Sequence, residues 1–231
     1  MHRCCLVLAL LAIVALAAAP AGAVGVDVRP DRVLEGDTVT IALSDLPNGT
    51  VFSLRLDGAV APGPNGTFAF TTADLVMPFT LEQGQVQAAL ENTATNELVV
   101  QKGDTQAKMT GASQNGQYTA QRNITIAAGT YDAIGLSGTA APGASQIRAT
   151  LALTGIKRGP DTATISFKVR GVTQGTMTVQ VFANAEKVLG KEIALGPASA
   201  ATPTQRAGAG LPALAAAGAA LGLAAVRTRR R

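Results

Sequence analysis

Apolar and polar residues alternate with a period of two along most of the middle of this chain. The alternation puts Val39, Ile41 and Leu43 on one side, then Phe52, Leu54 and Leu56, then Phe68 and Phe70. It returns later as Ile147/Ala149/Leu151/Leu153, Ala163/Ile165/Phe167/Val169 and Met177/Val179/Val181. Successive side chains of a strand point to opposite faces, so each set builds one buried face and leaves Thr, Ser, Gln, Lys and Arg outside. Antiparallel sheets with one solvated face give this pattern. One stretch, Leu81–Asn92, suits a helical turn as well as a strand.

Reversal signals punctuate the runs. Pro47-Asn48-Gly49-Thr50 and Pro64-Asn65-Gly66-Thr67 repeat one tetrapeptide before two successive strands. Proline presets φ and Asn-Gly accepts positive φ. Arg158-Gly159-Pro160-Asp161 and Gly171–Gly175 mark two further reversals. Many short strands at such spacing indicate sandwiches or barrels. The polar stretch Gln101–Gln117 separates two halves, with Lys102-Gly103-Asp104 as the joint. About seven strands on each side is the count of an immunoglobulin-like sandwich. The fold expected is therefore all-β, two small immunoglobulin-like antiparallel β-sandwich modules over 24–101 and 102–197. The alternative is one larger sandwich in which both halves share sheets.

The two ends of the chain differ from its middle. Arg3 precedes the apolar run Cys4–Ala19, and Ala21-Gly22-Ala23 fits the small-residue exit of a secretory signal, which predicts a signal peptide over 1–23 cut after Ala23. After a short stalk (198–206), residues 207–226 carry no charge. A run of about 20 such residues spans a hydrocarbon core as a helix. Arg227, Arg229, Arg230 and Arg231 form a basic tail (227–231), which the positive-inside rule places in the cytoplasm, with the body outside.

The spacer Thr202-Pro203-Thr204-Gln205, a small-residue break, an apolar helix and an Arg tail together resemble the C-terminal sorting signals of archaeal cell-surface proteins, the PGF-CTERM type processed by archaeosortases. Gly208-Ala209-Gly210-Leu211-Pro212 stands here in place of Pro-Gly-Phe. The resemblance covers about the last thirty residues. It implies a surface protein held by a transmembrane helix, or by a lipid after that helix is cut away.

Charge is unevenly placed. The formal net charge is +4, but the surplus belongs to the ends. Residues 24–100 hold 3 basic and 10 acidic groups, and residues 101–205 hold 10 basic and 5 acidic. A nearly balanced body gives no electrostatic support for nucleic-acid binding. The asymmetry suggests two modules, and head-to-tail contact between copies in a homo-oligomer.

Beyond Cys5 the chain contains no Cys, His or Trp. His-based triads, cysteine nucleophiles and His/Cys zinc sites are excluded from that part. No S-x-x-K, G-x-S-x-G or phosphate-loop motif is present, and no enzymatic activity or cofactor is expected. The densest carboxylates, Asp27, Asp31, Glu35 and Asp37, are weak calcium candidates, because their spacing matches no calcium loop. Asn48, Asn65 and Asn123 head N-x-T sequons and are glycosylation candidates. Tyr118 and Tyr131 lie in or beside turns, where a small sugar platform or plain edge packing would place them. These readings point to an exported, membrane-anchored surface protein with a structural or adhesive role in the cell envelope, associated with a surface layer. Its partners would be other envelope proteins or surface glycans. The alternative is a displayed module binding carbohydrate, peptide or calcium.

Overall fold

The computed structural model describes residues 23–197. The signal peptide, apart from Ala23, and the stalk, anchor helix and basic tail lie outside the described residues. Among the described residues no helix is long and apolar enough to cross a membrane.

Fourteen strands build the body: β1 Gly25–Arg29, β2 Arg32–Val33, β3 Thr38–Ser44, β4 Val51–Val60, β5 Thr67–Met77, β6 Thr80–Glu91, β7 Thr93–Lys102, β8 Thr105–Ala112, β9 Gln117–Asn123, β10 Gly129–Ala140, β11 Ile147–Arg158, β12 Ala163–Arg170, β13 Gly175–Ala183 and β14 Glu186–Leu195. The inward sets read from the alternation are those the core buries. Val39, Ile41, Phe52, Leu54, Phe70, Leu151, Ile165, Phe167, Met177 and Val179 are all sealed from solvent. The ambiguous stretch 81–92 is strand through Glu91, with Leu81, Val86, Ala88 and Leu90 inward.

The expected pair of modules is not the arrangement found. One seven-stranded sheet (sheet A) has the order β1-β3-β12-β5-β10-β7-β8, and the other (sheet B) has β2-β14-β13-β4-β11-β6-β9. Each sheet draws on both halves of the sequence, so 24–101 and 102–197 are not separate sandwiches. The pairs β3·β12, β4·β11, β5·β10, β6·β9 and β7·β8 are the rungs of one long antiparallel ribbon. The ribbon folds over so that successive rungs alternate between the sheets. This is the winding of a jelly roll rather than of two immunoglobulin-like modules. The second half returns along the first because each buried face needs a cover, and an antiparallel return supplies both the ladder and the opposing sheet.

Lys102-Gly103-Asp104 is thus the point where the ribbon doubles back. Gly103, at φ 55, occupies the first central position of the β7–β8 hairpin, where a II′ turn demands positive φ. At Gly138 the reason for glycine is space, since a Cβ there would stand 1.9 Å from the Thr95 carbonyl oxygen.

Register places the start of β1 and the end of β14 apart. Gly25 pairs with Ser44, beside the β3–β4 loop. Leu195 pairs with Val33 and Gly175, at the opposite end of the strands. The Arg32 guanidinium donates to the carbonyls of Gly196 and Pro197, both at 3.1 Å, and fixes the point where the chain leaves the body.

Candidate functional site

Period-two alternation that buries Leu54 and Leu56 must aim Arg55, Asp57 and Ala59 outward from sheet B. Their neighbours across the ladder are Thr176, Thr178 and Gln180 on β13, and Arg148 and Thr150 on β11, with Ala89 and Glu91 of β6 next in line. Ala59 and Ala89 are short where their neighbours are long. All of these but Gln180 line a shallow groove of about 380 Å³, open to solvent.

Asp57 is its hub. The carboxylate accepts from Arg55 Nε at 2.9 Å, from Thr150 Oγ1 at 2.6 Å and from Gln180 Nε2 at 2.9 Å. Arg55 Nη2 closes the ion pair at 2.8 Å, with the Arg55 side chain 47% exposed. Farther along the groove Arg148 reaches Glu91 at 3.9 Å and remains 68% exposed. The groove therefore presents two guanidinium groups with unused donors beside hydroxyl and amide groups. It can exchange hydrogen bonds with a polar ligand. Tyr118 and Tyr131 do not line it.

A second cation–carboxylate pair joins a buried lysine to an exposed aspartate at the end of the sandwich away from the chain exit. Lys157 is 0% exposed, and its ammonium donates to the Gly159 carbonyl at 3.0 Å and to Asp161 Oδ1 at 3.1 Å. It lies 5.8 Å from the centre of the Phe79 ring, which packs edge-on against Phe52 at 5.2 Å. Extending the Ile147/Ala149/Leu151/Leu153 set by two more steps reaches residue 157, so the phase of β11 carries the signal for this buried lysine. The same logic finds Asn96, inward with Leu98 and Val100. Asn96 donates to Ser113 Oγ at 2.8 Å and to the Gly111 carbonyl, while its own Oδ1 is buried without a partner.

The calcium candidates are not brought together. Asp27 pairs with Arg29 at 2.8 Å, and Asp31 pairs with Lys191 of β14. Glu35 accepts from the Gly171 amide, and Asp37 caps the Leu34 amide at 2.8 Å. Among the described residues no three His, Cys, Asp or Glu side chains gather as a metal site would require. Lys191, hydrogen-bonded to Asp31, holds that carboxyl below the ordinary carboxylate range, and Lys168 does the same for Asp74.

The sequons fall in three settings. Asn65 and Thr67 are both exposed, at the exit end. Asn123 and Thr125 are exposed at the far end, with Asn123 accepting from Gln85. Asn48 accepts from the Gly159 amide at 2.7 Å, and Thr50 is buried with its hydroxyl donated to Pro47. The repeated tetrapeptide thus serves two turns of different shape, since Asn65 takes φ 63 and Asn48 does not take positive φ.

Of the two tyrosines, Tyr131 is buried and Tyr118 is half-buried. Tyr131 is 5% exposed, its hydroxyl donates to the Ala127 carbonyl at 3.1 Å, and Lys102 covers its ring at 4.6 Å. Burial pushes the Tyr131 hydroxyl above its ordinary range. Tyr118 lies against Gly111, where a Cβ would come within 2.5 Å of its ring. No protein-family model matches this sequence, and no curated protein is significantly similar to it.

Proposed function

We propose that this is an exported, C-terminally anchored surface protein with a structural or adhesive role in the cell envelope. The observation that carries this reading is the placement of the start of β1 and the end of β14. The first strand begins at one end of the sandwich and the chain leaves at the other, clasped by Arg32. Strands of ten residues at about 3.3 Å per residue make a body about 33 Å long. Held through residues 198–226, such a body would project the β3–β4, β5–β6 and β11–β12 connections outward as a stiff spacer. The anchor would be the helix over 207–226, retained or exchanged for lipid after processing of the archaeosortase type. Export would leave Asn65 and Asn123 open to glycosylation, whereas Asn48 and Thr50 are engaged in the fold.

Mass spectrometry of the protein from isolated membranes tests the reading. It should begin at Val24, and it should carry either the intact Arg tail or a lipid-bearing truncation. Full-length product in the cytosol with its leader attached would overturn it.

The groove around Asp57 favours a second reading, a displayed module that takes a polar ligand such as a carbohydrate or an extended peptide. Screening glycan and peptide arrays with the wild type and Asp57→Asn tests it. Binding lost in the variant supports this reading, and binding that survives unchanged removes the groove from it.

A further inference from the structure

Among the described residues the sandwich has four strand edges, and three of them are blunted. In sheet A, β1 is five residues long and carries the Asp27–Arg29 ion pair. In sheet B, β2 has two residues, and β9 exposes Arg122 and ends in the Asn123 sequon. The fourth edge, β8, runs eight residues without proline: Thr105-Gln106-Ala107-Lys108-Met109-Thr110-Gly111-Ala112. Its one charge, Lys108, is bound within the sheet to Glu97 at 2.7 Å. A long edge with no free charge, proline or bulge is a template for another strand.

The core is also incompletely covered here. Ala107, Met109 and Gly111 face inward but stay partly exposed, as do Tyr118 and Ile124 beside them. On the neighbouring strand the equivalent Leu98 is 0% exposed.

We propose that β8 pairs antiparallel with β8 of a second copy of this chain, about a two-fold axis through Met109. The backbone sets which groups are free. Lys102 and Thr105 flank a two-residue turn and bond to each other, so alternation from that pair turns the amides of Gln106, Lys108 and Thr110 away from β7. A second β8 in this register meets those groups with its own. Met109 then faces Met109, Ala107 faces Gly111, Lys108 faces Thr110 and Gln106 faces Ala112. No like charges oppose, small residues face small ones, and two flexible thioethers close the open part of the core. The self-complementarity singles out a second copy over a foreign strand, because a two-fold interface needs one patch that fits itself.

The register makes the test specific. Opposed residues at position 109 form a non-hydrogen-bonded pair with Cα atoms about 4.5 Å apart, inside the range a disulfide spans. The full-length chain with Cys4 and Cys5 changed to Ser contains no other thiol, so Met109→Cys is a clean reporter. Under mild oxidation Met109→Cys should yield a dimer at twice the chain mass, while Thr164→Cys, on the outer face of β12, should stay monomeric. Light scattering on the cysteine-free chain should show a dimer that Thr110→Pro, which deletes one outward amide, converts to monomer. A cysteine-free chain that stays monomeric at tens of micromolar overturns the proposal. So does a Thr164→Cys chain that cross-links as readily as Met109→Cys. Binding of an added extended peptide at β8 by an otherwise monomeric chain also overturns it.

Discussion

Lys157–Asp161 and Arg55–Asp57 are the same chemical pair placed on opposite sides of one layer of sheet. Inside, the Lys157 ammonium is enclosed by a carbonyl, a carboxylate and an aromatic ring, and its stem fills core volume among Phe79 and Phe52. Outside, Asp57 is shared among Arg55, Thr150 and Gln180, with Arg55 still half in water. The inner pair ties the β11–β12 connection to Phe79 of the β5–β6 connection and has little left for a ligand. The outer pair adds little to folding because solvent competes for it, yet that same access lets it serve recognition. One strand period separates a buried cation from a solvent-open polar groove.

The sharpest way to break this contrast is to empty the inner site. Lys157→Ala removes a fully buried stem and leaves a cavity, and it should lower stability by about 2–4 kcal/mol in urea unfolding. Lys157→Met restores most of the volume without the charge, and its cost should stay under about 1.5 kcal/mol. If Ala and Met behave alike, the ammonium and not the packing carries the site. Asp161→Ala should come next. It strips one acceptor from a buried ammonium, at a cost of about 1–3 kcal/mol by the same measurement. Asp161 is itself 60% exposed, which keeps the expected value toward the lower end.

The inner site also shows how far residue pattern reaches. Alternation identified the strands and their buried faces, because Val39/Ile41/Leu43 and Met177/Val179/Val181 have only one face that can meet a core. Pairing was beyond it. Seven strands before Lys102-Gly103-Asp104 and seven after satisfy two modules and one folded ribbon equally well, since the choice rests on contacts between residues as distant as Asp31 and Lys191. The Asp57 hub stayed hidden for the same reason. Arg55 and Asp57 share a face by phase, but Thr150 and Gln180 join them only through pairings of β4 with β11 and β13. The acidic set near β1 misled, because carboxylates close in sequence found separate partners in space.

Charge asymmetry acquires a different meaning once the ribbon is seen. The acidic outgoing arm lies against the basic returning arm, and ion pairs cross between them: Glu97–Lys108, Glu91–Arg148, Glu82–Arg158, Asp74–Lys168 and Asp31–Lys191. This use of the imbalance needs no second copy. It favours the antiparallel return over slipped registers, in which like charges would face each other. On the outer side of the comparison, Asp57→Asn should therefore change stability by less than about 1 kcal/mol, read from the urea midpoint, because its partners can turn to water. A larger loss would make the groove a structural element like the Lys157 site and weaken its case as a binding surface.

The smallest effect belongs to Asp31, a fully exposed carboxylate that joins β14 to the β1–β2 connection through Lys191. Its hydrogen bond to Lys191, followed by the charge of Lys191, lowers its pKa in the folded chain relative to the unfolded one. A depressed carboxyl contributes stability that is present above its ordinary titration range and is lost as pH falls through the lower folded value. Asp31→Asn should thus lose nothing further in acid while costing slightly at neutral pH, so that the variant and wild-type urea midpoints converge as pH drops below the carboxylate range. Midpoints that stay parallel across that range would show the Asp31–Lys191 pair to be energetically silent. The contrast between inner and outer pairs would then extend to every ion pair exposed on this surface.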